Sequence, residues 1–148
     1  MSTKYRILLA LLFLTTFVYA QSTGNNQNKM RFLIHITTGP ENPTRAALGF
    51  LMAKTALEAN HEVALFLAGD AVQLLRDVVL DNLAGLGTGK LREHYDVIIT
   101  KGGKFFLSGM SSKARGVTAA DLKDKPAELA MPDVLLRLSI ESDRMFVY

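Results

Sequence analysis

Small polar side chains and two cations follow a short apolar stretch in FFLSGMSSKARGV, residues 105–117. Small residues let backbone N–H groups approach a ligand closely. Arg115 offers a planar fork for a carboxylate, phosphate or sulfate, and Lys113 offers a point charge. This turn is therefore predicted to bind a small anion. The residues predicted to contact the anion are Ser108, Gly109, Met110, Ser111 and Arg115.

A purely structural interpretation of the same turn stays open. Ser111 would then cap a short helix, and Lys113 would be solvated. Arg115 would pair with a nearby acid or with a neighbouring subunit. The residue types alone do not decide between this interpretation and anion binding.

Two more loops are expected at the same place. Thr37 and Gly39 end a buried apolar stretch, and Asn42 and Arg45 flank the start of a predicted helix. Asp70 follows the next apolar stretch, in AGDA. The side-chain donors of the first loop are predicted to bind the same ligand. A structural interpretation of these residues also stays open, in which Gly39 forms a turn, Asn42 caps the helix and Arg45 is exposed to solvent.

Catalysis by this cluster would need a base for the Ser108 hydroxyl. His35 lies late in the first predicted strand and could approach the same edge. His61 falls at the opposite end of the sheet, and His94 is expected on a helix surface. Asp70 is more typical of a helix N-cap than of a general base, and no G-x-S-x-G motif surrounds Ser108. A hydrolase that uses Ser108, His35 and Asp70 is therefore only the alternative interpretation.

Metal and cofactor sites are not expected. His35 has no ligand partner at metal-binding spacing, so we interpret it as a histidine satisfied within the core. The chain contains no cysteine, which excludes disulfides, thiolate chemistry and metal sites with cysteine ligands.

Alternating strand and helix patterns position these residues. The predicted strands are 31–37, 62–69, 104–109 and 144–148, and the predicted helices are 42–60, 70–83, 91–103 and 132–142. The stretch AGLGTGK, residues 84–90, is predicted as a glycine-rich loop, and a second loop surrounds Pro126. This alternation predicts a single three-layer α/β domain, a mostly parallel sheet with helices on both faces. Ligands of such sheets bind beyond the carboxyl ends of the strands.

The first residues indicate export. Lys4 and Arg6 precede an apolar run from Ile7 to Ala20, as in a secretory signal peptide cleaved after Ala20. An uncleaved anchor is the alternative. Residues 21–29 are predicted as a flexible polar tail, and residues 30–148 as the folded domain. Without residues 1–20, the chain has 15 basic and 14 acidic residues, so no nucleic-acid partner is expected. The predicted signal peptide indicates a periplasmic or secreted location.

Three blocks carry a resemblance to a known family. HITTGPENPTRAALGFLMAKTALEANHEVALFLAGDAV, LREHYDVIITKGGKFFLSGMSSKARGV and DVLLRLSIESDRMFVY occur in the order found in DsrE/DsrF-like proteins of the sulfur-relay superfamily. The resemblance covers Met30 to Tyr148. It implies a compact α/β domain with flavodoxin-like winding that assembles as trimers or hexamers.

The resemblance also locates the family's reactive residue. In members that carry sulfur, a cysteine ends the late strand eight residues before the Gly of an Arg-Gly pair, and that position here is Ser108. A serine hydroxyl is almost entirely un-ionised and forms no persulfide. The chain therefore resembles an exported, cysteine-free variant that carries no persulfide.

Three functions follow from these observations. The first is a non-catalytic homo-oligomer, a trimer by resemblance, that binds a small anion or a protein partner. The second is an enzyme of non-sulfur chemistry that uses Ser108, His35 and Asp70. The third is an accessory subunit of a sulfur-relay system whose partner supplies the thiol.

Overall fold

The computed structural model describes residues 28–148. The predicted signal peptide and residues 21–27 of the predicted tail lie outside the described residues. Within residues 28–148, no helix has both the length and the apolar character needed to cross a membrane.

The chain alternates strands and helices around one parallel sheet, which confirms the predicted α/β class. The strands are β1 (Arg31–Ile36), β2 (Glu62–Leu67), β3 (Ala84–Gly85), β4 (Gly89–Lys90), β5 (Lys104–Ser108), β6 (Ala127–Ala130) and β7 (Arg144–Val147). The α-helices are α1 (Pro43–Glu58), α2 (Asp77–Asn82), α3 (Leu91–Thr100), α4 (Gly109–Ala114) and α5 (Pro132–Glu141), and Gly69–Leu75 form a 3₁₀ helix. The main sheet has the order β6-β5-β2-β1-β7, and each neighbouring pair is parallel.

Helix α1 begins and ends as its sequence predicts. The Asn42 side chain accepts a hydrogen bond from the backbone N–H of Arg45 at 3.2 Å, and Pro43 occupies the first turn, where its missing N–H costs nothing. Beyond the last turn, Asn60 adopts a positive φ of 68°, a conformation that asparagine tolerates better than most residues. These local signals set the first strand-loop-helix unit.

The helix predicted over 70–83 is wrong as a single element. Residues 69–75 form the 3₁₀ helix, and α2 begins only after Arg76, whose φ of −68° and ψ of 132° are extended. The Arg76 guanidinium donates hydrogen bonds to the carbonyls of Arg115 and Gly116 at 2.9 and 2.7 Å. Four residues of the 3₁₀ segment, Ala71, Val72, Leu74 and Leu75, are buried, at a spacing that an amphipathic α-helix would also show, so the pattern alone does not reveal the break. Tertiary contacts therefore divide the segment.

Two further expectations about loops are wrong. Residues 127–130, AELA, form the edge strand β6 instead of a loop, although alanine and glutamate have low strand propensity. Residues 84–90 form a small antiparallel hairpin, β3 and β4, rather than an irregular loop. Each of the two strands has only two residues, so no alternating pattern could reveal them.

His94 is buried, contrary to the expected position on a helix surface. It lies on the inner face of α3 with Leu91, Tyr95 and Ile98, at the spacing of one helical stripe. Its Nε2 donates a hydrogen bond to the carbonyl of Thr88 at 2.6 Å. His94 therefore holds the β3–β4 hairpin against α3.

The two faces of the sheet are covered unequally. The larger core lies between one face and the helices α1, α2 and α3 with the 3₁₀ helix, and Phe50, Phe105 and Tyr95 pack together in it. The other face is covered by α5 alone, over a small cluster that contains Leu33, Phe66, Phe106, Ala130 and Leu138. This second face leaves apolar side chains of β7 exposed, including Met145 and Val147.

Candidate functional site

The three predicted loops meet at the carboxyl ends of β1, β2 and β5. The backbone N–H of Gly69 donates to the Ser111 hydroxyl at 3.0 Å, which joins the second loop to the third. Gly39 lies so close to Asp70 that a Cβ added to it would be 2.5 Å from the Asp70 carbonyl oxygen. The first and second loops are therefore also in direct contact.

Ser108 is the N-cap of α4. Its Oγ accepts a hydrogen bond from the backbone N–H of Ser111 at 3.3 Å, so Ser108 fills the capping role that the sequence suggested for Ser111. The Ser111 hydroxyl instead accepts from Gly69. Ser108 is half-buried, at the point where β5 ends.

Arg115 and Asp70 form an ion pair across this edge. The Arg115 Nε lies 2.6 Å from the Asp70 Oδ1, although 45 positions separate the two residues in the chain. The hydrogen bond from Arg115 lowers the pKa of Asp70, against a smaller opposing effect of desolvation. The two terminal nitrogens of Arg115 make no hydrogen bond within residues 28–148. The pair therefore orients the guanidinium and leaves part of its fork open.

The remaining predicted ligand-binding residues either make hydrogen bonds within the fold or are exposed to solvent. Thr37 donates from its N–H and its hydroxyl to the carbonyl of Tyr148 at 2.8 and 3.2 Å. Asn42 caps α1, and the side chains of Arg45 and Met110 are exposed. Lys113 makes no ion pair in the described part of the chain. Thus Gly39 and Arg115 contact Asp70, and Ser111 contacts the neighbouring Gly69. Asn42 and Arg45 lie at the start of α1.

The structure does not bring Ser108, His35 and Asp70 into hydrogen-bond contact. Strand β2 separates β1 from β5, so His35 and Ser108 are about 10 Å apart across the sheet at the usual strand spacing. The His35 ring instead packs edge-on against Phe66, with centroids 5.7 Å apart, and burial lowers its pKa. Its Nε2 is buried and has no hydrogen-bond partner in the described residues, so the interpretation of His35 as a satisfied core histidine is wrong. The geometry of an activated serine is therefore not assembled.

No group of three His, Asp or Glu side chains within residues 28–148 is arranged to hold a metal ion.

A separate feature, not predicted from the sequence, lies at the opposite edge of the sheet. There a cavity of about 490 Å³ is lined by several basic side chains. The available signal was the charged residue that begins each of three adjacent strands: Arg31, Glu62 and Lys104.

The Asp70–Arg115 pair should make the free energy of unfolding depend on pH. Because the pKa of Asp70 in the folded protein lies below its ordinary value of 3.8, the pair stabilises the fold above that pH. The contribution is lost as pH falls through the lowered pKa. Asp70→Asn should therefore unfold at lower urea than the native protein at pH 7, and the difference should shrink below pH 3.8.

Asp124→Asn provides the matched control for this measurement. Asp124 is exposed, forms no ion pair within residues 28–148, and has a φ of 61° that asparagine accepts. Its effect on the urea midpoint should stay small at every pH. An Asp70→Asn difference that persists unchanged at pH 2 would contradict the ionic role of Asp70.

Comparisons with known proteins agree with this architecture. A sequence model of the DsrE/DsrF-like family matches residues 30–148. Among solved structures, the ychN protein from E. coli superimposes with a TM-score of 0.65 at 17% identity, over 81% of this chain and 98% of that one. No curated protein matches the chain. The structural likeness confirms the fold, and the family match is what identifies the chain: it belongs to the DsrE/DsrF-like family.

Proposed function

We propose that this protein is a non-catalytic, exported homo-oligomer that binds a small anion at the carboxyl edge of its sheet and does not itself carry a persulfide. The observation that carries the proposal is the Asp70–Arg115 pair. It uses only Nε of the guanidinium and leaves the terminal nitrogens without a partner in the described residues. An anchored guanidinium binds an oxyanion with less loss of side-chain entropy than a mobile one.

The residue at the end of β5 supports a binding role over a chemical one. Ser108 occupies the position at which sulfur-carrying relatives would have a cysteine, and its hydroxyl accepts from Ser111 instead of donating to a base. His35 is too distant to activate it. The edge therefore has groups that recognise an anion but lacks an activated nucleophile.

Exposed apolar side chains support self-association. Leu136 and Ile140 on α5 are 63% and 75% exposed, and Val147 on the edge strand β7 is 57% exposed. Apolar surface of this kind is commonly covered by a subunit or a partner protein. It belongs to the sheet face that α5 alone covers.

The test is a thermal-shift series with sulfate, thiosulfate, phosphate, small carboxylates and nucleotides. A bound anion at about 100 times its Kd adds about 2.7 kcal/mol of stability, which raises the Tm of a domain this size by several degrees. We expect at least one anion to do so. Arg115→Ala should abolish the shift, and Arg115→Lys should reduce it because the fork is lost.

Arg144→Ala is the matched control, since Arg144 is an exposed arginine at the other edge of the sheet. It should leave the anion-induced shift intact. The proposal fails if no anion stabilises the protein, or if the shift survives Arg115→Ala.

A second candidate function is that of an accessory subunit that binds a protein partner at the same edge. Met110 and Met131 are 62% and 53% exposed, and the Met131 sulfur lies beside Gly109 in α4. Exposed methionines adapt to varied partner surfaces. This candidate predicts that Met131→Lys removes partner binding while the anion response is retained.

A further inference from the structure

The cavity at the amino-terminal edge of the sheet lies opposite the Arg115 site. Its volume, about 490 Å³, is within the range of small-molecule sites. Part of its lining is apolar: Ala64 on β2, Phe106 on β5 and Leu138 on α5. Phe106 and Leu138 belong to the cluster beneath α5, so this part of the wall is held by packing.

Basic side chains from several elements surround this apolar surface. The charged lining residues are Lys29, Arg31, Lys101, Lys104 and Arg137, with the acids Glu62 and Glu141. Each acid already has a cation: Lys29 lies 2.9 Å from Glu62, and Arg137 lies 3.2 Å from Glu141. Arg31, Lys101 and Lys104 make no ion pair within residues 28–148. The lining therefore carries three positive charges beyond those its own acids neutralise.

A nearby carboxylate outside the lining does not pair with these side chains. Asp143 accepts a hydrogen bond from the backbone N–H of Arg31 at 2.8 Å, and the Arg31 side chain is not involved. The positive charges of the lining also lower the pKa of Glu62. The hydrogen bond from Lys29 is the main cause of its lowered pKa, and Arg31 and Lys104 add smaller contributions.

A tight turn sets the spacing of two of the free cations. Lys101 directly follows α3 and Lys104 begins β5, with Gly102 and Gly103 between them. Gly102 has a φ of 82°, and a Cβ at Gly103 would be 2.5 Å from the Ile98 side chain. Both positions therefore require glycine, and the turn brings two lysines to the same cavity.

We propose that this cavity binds a small organic anion. The ligand's apolar body contacts Phe106 and Leu138, and its carboxylate, sulfonate or phosphate group lies among Arg31, Lys101 and Lys104. A bare inorganic anion would leave the apolar wall unused, and a neutral ligand would leave the three cations unpaired. The site is separate from the Arg115 edge and does not depend on the function proposed for that edge.

Two fluorescent probes that differ by one charged group test the proposal. The first is 8-anilinonaphthalene-1-sulfonate, and the second is N-phenyl-1-naphthylamine, which has the same aromatic body without the sulfonate. We expect one saturable sulfonate site per chain, with at least about tenfold weaker binding of the neutral probe. Raising the salt concentration should weaken binding of the sulfonate and leave the neutral probe unchanged.

Charge variants then locate the binding. Arg31→Gln with Lys104→Gln should weaken sulfonate binding about tenfold, as expected for the loss of two partly exposed charge pairs. Lys123→Gln, the matched change at an exposed lysine away from the cavity, should alter binding less than about twofold. In NMR spectra of the labelled protein, the sulfonate probe should shift the amide signals of Ala64 and Phe106.

Three results would overturn the proposal. These are equal affinity for the two probes, an unchanged affinity in the Arg31→Gln/Lys104→Gln variant, and NMR shifts confined to β7 or to the Arg115 edge. The salt series and the NMR shifts need no variant, so the test holds even if a substitution lowers stability.

Discussion

Replacing Ser108 by cysteine should give the protein a sulfur-accepting side chain that its native sequence lacks. The thiolate would attack the outer sulfur of a low-molecular-weight persulfide, form a new S–S bond and release the donor's thiol. The native protein should gain no mass, and Ser108→Cys should gain one sulfur atom per chain. The backbone N–H of Ser111, now 3.3 Å from the Ser108 oxygen, would stabilise the thiolate and lower the pKa of the thiol.

Intact-mass measurement over time at pH 7 checks this expectation. Ser139→Cys is the matched control, because Ser139 is exposed on α5 and does not cap a helix. It should take up sulfur more slowly than Ser108→Cys. Equal rates for the two variants would show that the end of β5 provides no activation. The loss of the Ser108 cap should cost about 1 kcal/mol, so both variants are expected to fold.

Gly39→Ala should destabilise the protein strongly for a change of one methyl group. The added Cβ would lie 2.5 Å from the Asp70 carbonyl oxygen and 2.8 Å from its Cβ, and backbone atoms cannot yield as a flexible side chain can. Overpacking of this kind costs about 1–3 kcal/mol. Because Asp70 must shift, the pairing with Arg115 and the anion response should also weaken. Urea denaturation measures the first effect, and the thermal-shift series measures the second.

Gly109→Ala at the same edge should have the opposite effect. A Cβ there would meet its nearest atoms at 3.5 and 3.6 Å, which is ordinary contact. Gly109 is also in the first turn of α4, where alanine is favoured over glycine. We expect stabilisation of about 0.4–1 kcal/mol. If the two variants had the same stability, the close approach of Gly39 to Asp70 would not be the cause.

The predictions that were confirmed depended on local rules. These rules involve only a few neighbouring residues, so the sequence pattern alone is enough to predict the result. Examples are the cap at Asn42, the proline at the start of α1 and the apolar runs of β1 and β2. Strand β6 was missed because its four residues have little strand propensity, and pairing with β5 determines its conformation. The segment from Gly69 to Asn82 was misassigned because Arg76 contacts residues about 40 positions away.

The candidate site shows the same division. The meeting of the segments 37–45, 69–70 and 108–115 could be predicted, because the carboxyl ends of parallel strands lie at one edge of the sheet. The pairing of Asp70 with Arg115 could not be predicted, since no periodicity links two residues on different loops. The basic cavity was missed for a related reason. Its cations come from positions 29, 31, 101, 104 and 137, so they form no basic run.

The order of the strands also has a consequence for the time at which the sheet can form. Strand β1 pairs on one side with β7, and hydrogen bonds join residues 111 and 112 positions apart. During synthesis, β1 and β2 can pair early, but the other edge of β1 stays without a partner until residues 144–147 leave the ribosome. Closing so long a loop is entropically costly and slows folding. We therefore expect nascent chains that lack β7 to expose the β1 edge, where a chaperone could bind until the last strand arrives.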